Sequence, residues 1–135
     1  MTSPEIVIDA ANALLGRLAS YVAKRALLGH NVVVVNCNHV LLSGNKAFIG
    51  AHYRARRARG GSALKGPNFP RSPERIVKRT IRGMLPYRQM RGSQAFKRIR
   101  CYNDVPEQYA STSLIKAGKE KPIKTMSLEA LSKIL

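Results

Sequence analysis

The spacing of apolar residues changes character along the chain, and each change predicts an element. Ile6-Val7-Ile8 is a short β-branched run of the kind that favours a strand. From about Leu14 to Leu28 the spacing turns helical: Leu14, Leu15, Leu18, Ala19, Val22 and Ala26 share one face, with Arg17, Ser20 and Lys24 opposite. Asp9 and Asn12 are candidate caps ahead of this helix, and Gly29 stands where a helix-ending left-handed residue is expected. Val32-Val33-Val34-Val35 is apolar without alternation, the pattern of a strand covered on both faces. Strand, helix and buried strand make a βαβ unit, so the strands are expected parallel with a right-handed crossover. His39 to Leu42 predicts another short strand, ended by the turn Ser43-Gly44-Asn45.

From Tyr53 to Arg71 no apolar periodicity survives, and Gly60-Gly61 and Gly66-Pro67-Asn68-Phe69-Pro70 predict a long loop or arm. Order returns at Ser72-Pro73, an N-cap followed by proline at the first helical position. The helix is expected to run to about Leu85, before Pro86. Ile76, Val77, Thr80, Ile81, Met84 and Leu85 take one side of it, and Arg75, Lys78, Arg79 and Arg82 the other. Gly92-Ser93 opens a second short basic helix, Ile99 to Tyr102 a further strand, and Asn103-Asp104-Val105-Pro106 a turn. Residues 107–124 read as polar loop, and Ser127 begins a last helix with Leu128, Leu131, Ile134 and Leu135 as its stripe. The chain is therefore read as a single domain over 1–135, with a βαβ scaffold (1–50) and a basic arm (51–72). Basic helices with the last strand (73–106), then a polar loop and terminal helix (107–135), complete it.

Charge changes the picture more than composition does. The 44% apolar fraction is enough for one hydrophobic core in 135 residues, but the net charge of +17 exceeds what solubility asks. Fifteen of the twenty-four Lys and Arg lie between Arg54 and Arg100, against the single acid Glu74. A solvated face mixes signs, and this stretch does not. A polyanion is needed to neutralise it, and phosphate backbones do so with release of counterions. Arginine's excess fits, because its planar fork matches phosphate oxygens. Tyr53, Phe69 and Tyr87 are interleaved and able to stack on unpaired bases, or to pack in the core.

The same positions exclude several chemistries. The longest aliphatic run, Val32 to Val35, is too short to span a bilayer, and Met1 to Glu5 has no export leader. Cys37 and Cys101 read as reduced thiols of a cytosolic protein. The seven acids are scattered, so no pair for acid–base catalysis stands out. Cys37 and His39 would share a face of an extended strand, with His52 as a third donor, but the second clustered pair of a zinc site is missing. Ser43-Gly44-Asn45-Lys46 lacks the earlier glycine and the Gly-Lys-Ser/Thr ending of a P-loop, and Gly-x-Gly-x-x-Gly does not follow the first strand. The expectation is no enzyme, no metal, no cofactor and no small-molecule substrate. An RNA-modifying enzyme would need such a site; a small chromatin protein would bind duplex DNA in preference to rRNA, which competition binding separates, and no helix-turn-helix signature appears.

Several segments together resemble a known family. They are Asp9-Ala10 with Leu15-Gly16-Arg17-Leu18-Ala19-Ser20, Val32-Val33-Val34-Val35-Asn36, Ser43-Gly44-Asn45-Lys46 and Arg82-Gly83-Met84-Leu85-Pro86. In this order and spacing they resemble the universal large-subunit ribosomal protein family thirteen (thirteen-a in eukaryotes). Gly66-Pro67 through Arg75-Ile76 and Arg79-Thr80 looks like its archaeal and eukaryotic branch. The resemblance implies an α/β fold, three-layer α/β/α, around a small mostly parallel sheet of about four strands, with the basic arm and helices appended. It also implies a structural role on large-subunit rRNA beside neighbouring ribosomal proteins, in the cytoplasmic ribosome and not as a homo-oligomer.

The candidate RNA-binding residues are Arg54, Arg56, Arg57, Arg59, Lys65 and Arg71 in the arm and Arg75, Lys78, Arg79 and Arg82 on the helix. Arg88, Arg91, Lys97, Arg98 and Arg100 follow. Their expected role is phosphate neutralisation and register, not base readout.

Overall fold

A computed structural model describes residues 5–58, 70–109, 115–116 and 125–134. The chain forms strand β1 (Glu5–Asp9), helix α1 (Leu15–Leu27), β2 (Asn31–Val35), a 3-10 turn (Cys37–His39), β3 (Leu41–Ser43) and α2 (Lys46–Ala58). It continues with α3 (Pro73–Gly83), α4 (Met90–Lys97), β4 (Ile99–Cys101), a second 3-10 turn (Glu107–Tyr109), β5 (Ile115–Lys116), β6 (Thr125–Ser127) and α5 (Leu128–Ile134). One sheet has the order β4-β2-β1-β5, and every pairing in it is parallel. β3 and β6 form a separate antiparallel pair, with Leu42 opposite Met126. The α/β class and the small parallel sheet are as expected.

The all-valine β2 sits in the middle of the sheet and is buried on both faces, which is why it needs no alternation. Its pleat divides the core. Val32 and Val34, with Ile8 and Ile99, face a cluster built from α1, α3 and Ala95 of α4. Val33 and Val35, with Val7, face Tyr109, Tyr102 and Val105. The helical layer thus lies on one face, and among the described residues the other is covered by the Tyr102–Tyr109 segment. Helix α1 buries Leu15, Leu18, Ala19, Val22, Ala23 and Ala26. Full burial of a side chain such as Leu18 or Val22 contributes roughly 1.5–3 kcal/mol.

The ends of α1 separate one expectation that holds from one that fails. Gly29 takes φ +100°, its N–H bonds the carbonyl of Ala26 and the His30 N–H bonds that of Arg25, the paired bonds of a Schellman ending. Asp9 and Asn12 do not cap the start. Leu14 holds the cap position with no side-chain bond, while Asp9 Oδ1 accepts from the Ala11 N–H (3.0 Å) and Asn36 Nδ2 (2.9 Å). Asp9 therefore ties together the loops that leave β1 and β2.

Other boundaries move. The expected strand His39–Leu42 becomes a 3-10 turn followed by a strand starting at Leu41, because Asn36 adopts a left-handed conformation (φ 61°) and turns the chain sharply. The expected arm 51–72 is helical up to Ala58. Ile49 and Gly50 are buried there, Tyr53 packs on the core edge, and the rest is alanine, arginine and other residues with no stripe to betray a helix. Its first turn is fastened by the Asn45 side chain, which accepts from the Ala47 N–H at 3.0 Å. Helix α3 ends at Gly83, two residues early, and α4 starts at Met90. Ser127 holds α5 as expected, its Oγ accepting from the Ala130 N–H, and the unpredicted β6 precedes it.

Candidate nucleic-acid interface

Helix α3 is positioned by its apolar stripe. Ile76, Val77 and Ile81 are buried, and Leu85 follows them into the core. Pro73 stands at the first helical position, as expected. Ser72 makes no side-chain cap bond; instead Asn103, from the turn after β4, accepts the Glu74 N–H at 3.1 Å. The four cations of the opposite face do not form a uniform row. Arg75 is exposed. Lys78 Nζ lies 5.3 Å from the Phe96 ring centre, and Arg82 lies 5.0 Å from that of Tyr87. Arg79 lines a cavity between α2 and α3. Lysine and arginine stems lie along apolar surface here while the charge stays outside.

Tyr87 is 41% exposed and has a second guanidinium, that of Arg88, 5.9 Å from its ring centre. Of the three aromatic residues proposed for stacking, Tyr87 is thus a surface ring between two cations. Tyr53 is half-buried and shared between the core edge and the α2–α3 cavity, and burial pushes its phenol above the ordinary value while Arg56 counters this. Phe69 lies outside the described residues. Arg91 and Lys97 are exposed on α4. Arg100 is exposed on β4, pointing to the sheet face opposite Ile99 and its neighbours in the main core.

Three of the candidate cations do structural work inside the fold. Arg54 donates from Nε and Nη2 to the carbonyl of Ile134 (3.3 and 3.2 Å), and Arg71 Nε donates to that of Ser132 (3.0 Å). Both fill carbonyls left open at the C-terminal end of α5, where positive charge also meets the negative end of the helix dipole. Arg98 Nη1 donates to the carbonyl of Ala26 at 3.0 Å and so closes the end of α1 from β4's side. Arg59 and Lys65 lie outside the described residues, as does the side chain of Arg57. Arg56 lines the α2–α3 cavity opposite Arg79.

One feature escapes sequence reasoning. Phe48 is 70% exposed and stacks on His52, ring centres 6.1 Å apart and planes 11° apart, along the outer face of α2. The signal for it is the i, i+4 spacing of two rings, visible only once 46–58 is read as a helix. The shared strand face expected for Cys37 and His39 does not form. The 3-10 turn buries Cys37 and leaves His39 exposed, and among the described residues no group of His, Cys, Asp and Glu is placed to hold a metal. Cys37 and Cys101 are both free thiols. Cys37 Sγ donates to the Val34 carbonyl at 3.9 Å, and a hydrogen-bonding contact with Cys101, then burial, pushes the Cys37 thiol well up. Among the described residues no helix is long and apolar enough to cross a membrane.

The model of the family "Ribosomal protein L13" matches residues 4–108, which includes β1 through β4 and reaches into the second 3-10 turn. The chain belongs to the ribosomal protein L13 family. Similar proteins include the large ribosomal subunit protein uL13 of Methanococcus maripaludis, 42% identical over 133 residues and 96% of each chain. That of Methanocaldococcus jannaschii is 44% identical over 132 residues, again 96% of each. That of Archaeoglobus fulgidus is 49% identical over 102 residues, covering 76% of this chain and 65% of the relative, just under two thirds of its length. These relatives are archaeal, in keeping with the branch the motifs resemble. The L13 match spans both the valine-rich body and the basic helices.

Proposed function

We propose that this chain is a structural constituent of the large ribosomal subunit, in the cytoplasm, and that it packs large-subunit rRNA through the surface formed by α3, α4 and β4. The reading is carried by one observation: Arg75 and Arg82 of α3, Arg88 of the turn after it, and Arg91 and Lys97 of α4 reach solvent beside helices whose apolar sides are fixed in one core, and Arg100 reaches it from the edge strand β4. The family membership supports it, since the relatives are named large-subunit proteins. These cations neutralise phosphates and set register, while neighbouring proteins contact other parts of the domain. The arm residues Arg56, Arg57, Arg59 and Lys65 neutralise further phosphates in this reading. Arg54, Arg71 and Arg98 serve it at second hand, by holding α5 and α1.

Sedimentation of native lysate through sucrose tests the assignment. Salt-resistant migration with large subunits is expected, and recovery at the top of the gradient in both low and high salt would overturn it. On purified rRNA, about ten phosphate contacts give a log–log salt slope of roughly −7 to −9. Replacing Arg75, Lys78, Arg79 and Arg82 together by Gln should shallow that slope by roughly 3. An unchanged affinity and slope would remove α3 from the interface.

A further inference from the structure

The cavity between α2 and α3 has a volume of about 320 Å³, at the small end of the range for ligand sites. Its walls differ in chemistry. Tyr53 from α2, Ile76 from α3 and Pro70 just ahead of α3 supply apolar surface. Arg56 and Arg79 bring one guanidinium from each helix. Thr80 completes the lining with a hydroxyl whose proton is already given to the Ile76 carbonyl at 2.9 Å, so its oxygen faces an occupant as an acceptor. At Gly83 nothing stands within 4 Å of where a Cβ would lie, which leaves that end open.

An occupant that uses all of these groups is small, flat on one side, anionic on the other, and able to donate a hydrogen bond. A nucleotide has all four properties: a planar base, an exocyclic amine or ring N–H, and a phosphate that guanidinium forks match. Because Tyr53 packs on the core, its ring is held in place before anything binds. The position along α3 favours a nucleotide that is part of a chain. Arg75 lies one turn before Arg79 and Arg82 one turn after it, so a phosphate backbone following the helix is held on both sides of the cavity mouth.

We propose that this cavity receives a single unpaired nucleotide of the RNA strand that follows α3, its base against Tyr53 and its phosphate between Arg56 and Arg79. This deepens the rRNA-packing reading and rests on it. It also adds a local preference for an unstacked nucleotide to an interface that otherwise senses only backbone.

The test is base-selective chemical probing of large-subunit rRNA reconstituted with the full chain, comparing wild type with Tyr53→Leu and Arg79→Gln. Wild type should protect several backbone positions and one unpaired base. In both variants that one base should regain reactivity by at least about fivefold, the low end for losing a base–aromatic stack, while the backbone protections persist. Backbone protections with no base restored in either variant would overturn the nucleotide site and leave the rRNA reading standing. No protection by the wild-type chain would overturn both. Leucine keeps the apolar bulk of Tyr53, and a thermal melt checks its fold. If Tyr53→Leu does not fold, Arg79→Gln decides alone by the same criterion.

Discussion

The β1–α1–β2 body and the α2–β4 half are fastened in different ways. In the body, valine and leucine side chains and backbone bonds supply nearly everything, down to the Schellman ending of α1. The second half reaches its neighbours through long polar side chains: Arg54 and Arg71 hold the end of α5, Arg98 the end of α1, and Asn103 the start of α3. Both halves bury apolar area in one core, and the basic half adds side-chain bonds to unfilled groups at helix ends. In the proposed rRNA-packing role the same residue type serves fold and anion at once in the second half. On that proposal a charge count taken there overstates how many cations are given to phosphates alone.

The comparison breaks most visibly in the body. Leu18→Ala empties a position 2% exposed between α1 and the sheet, and should cost about 2–5 kcal/mol in urea unfolding, with little change in salt slope on RNA beyond the loss of folded protein. A loss below about 1 kcal/mol would mean the body is not a close-packed core. Next comes Gly92→Ala in α4. A Cβ there would fall on the carbonyl of Pro86 and crowd the Tyr87 N–H, both backbone, so neither can swing aside. The expected cost is about 1–3 kcal/mol, and Tyr87 should lose its place between Arg82 and Arg88. A stable Gly92→Ala with unchanged RNA affinity would show that the turn between α3 and α4 is looser than its contacts imply.

How much of this is legible in the sequence follows the same division. Helix α1 is readable because Leu15, Leu18, Ala19, Val22 and Ala26 repeat at the helical period, and β2 because four valines leave no polar side. The cationic face of α3 is readable for the same reason, from Ile76, Val77 and Ile81 opposite Arg75, Lys78, Arg79 and Arg82. Helix α2 is not. Few of its thirteen residues face inward, and alanine with arginine reads equally well as an arm or a helix. Strand β6 buries only Met126 and depends on pairing with β3, which no local pattern announces. Least legible are the partners of the arginines. Arg54, Arg71 and Arg98 bond carbonyls 80, 61 and 72 residues away, so sequence can assign them to the basic stretch but not to the fold. The α2–α3 cavity is hidden for the same reason, since Tyr53 and Arg79 meet only across two helices.

Arginines of the two kinds should separate under the same substitution. Arg98→Met keeps the stem and removes the bond to Ala26, at an expected cost of about 1.5 kcal/mol in unfolding free energy. Arg54→Met and Arg71→Met release the exposed end of α5 and should cost about 0.3–1 kcal/mol each, less at high salt. If these three variants were as stable as wild type but bound RNA with shallower salt slopes, their carbonyl bonds would be incidental and the charge count would stand.

Arg88→Met is the opposite case, with the smallest expected effect on stability. Arg88 is exposed and approaches the Tyr87 ring at 5.9 Å, so the loss in unfolding free energy should be within about 0.5 kcal/mol. If it neutralises one phosphate, its removal should shallow the log–log salt slope on rRNA by about 0.7–0.9 while leaving discrimination between sequences unaltered. Measuring both quantities on Arg88→Met and Arg98→Met makes a crossed test. A fold-holding arginine moves the unfolding midpoint and a phosphate-holding one moves the slope. Should both variants move both quantities equally, the division between fold and interface would fail, and the basic half would act as one cooperative surface in which each cation serves both ends.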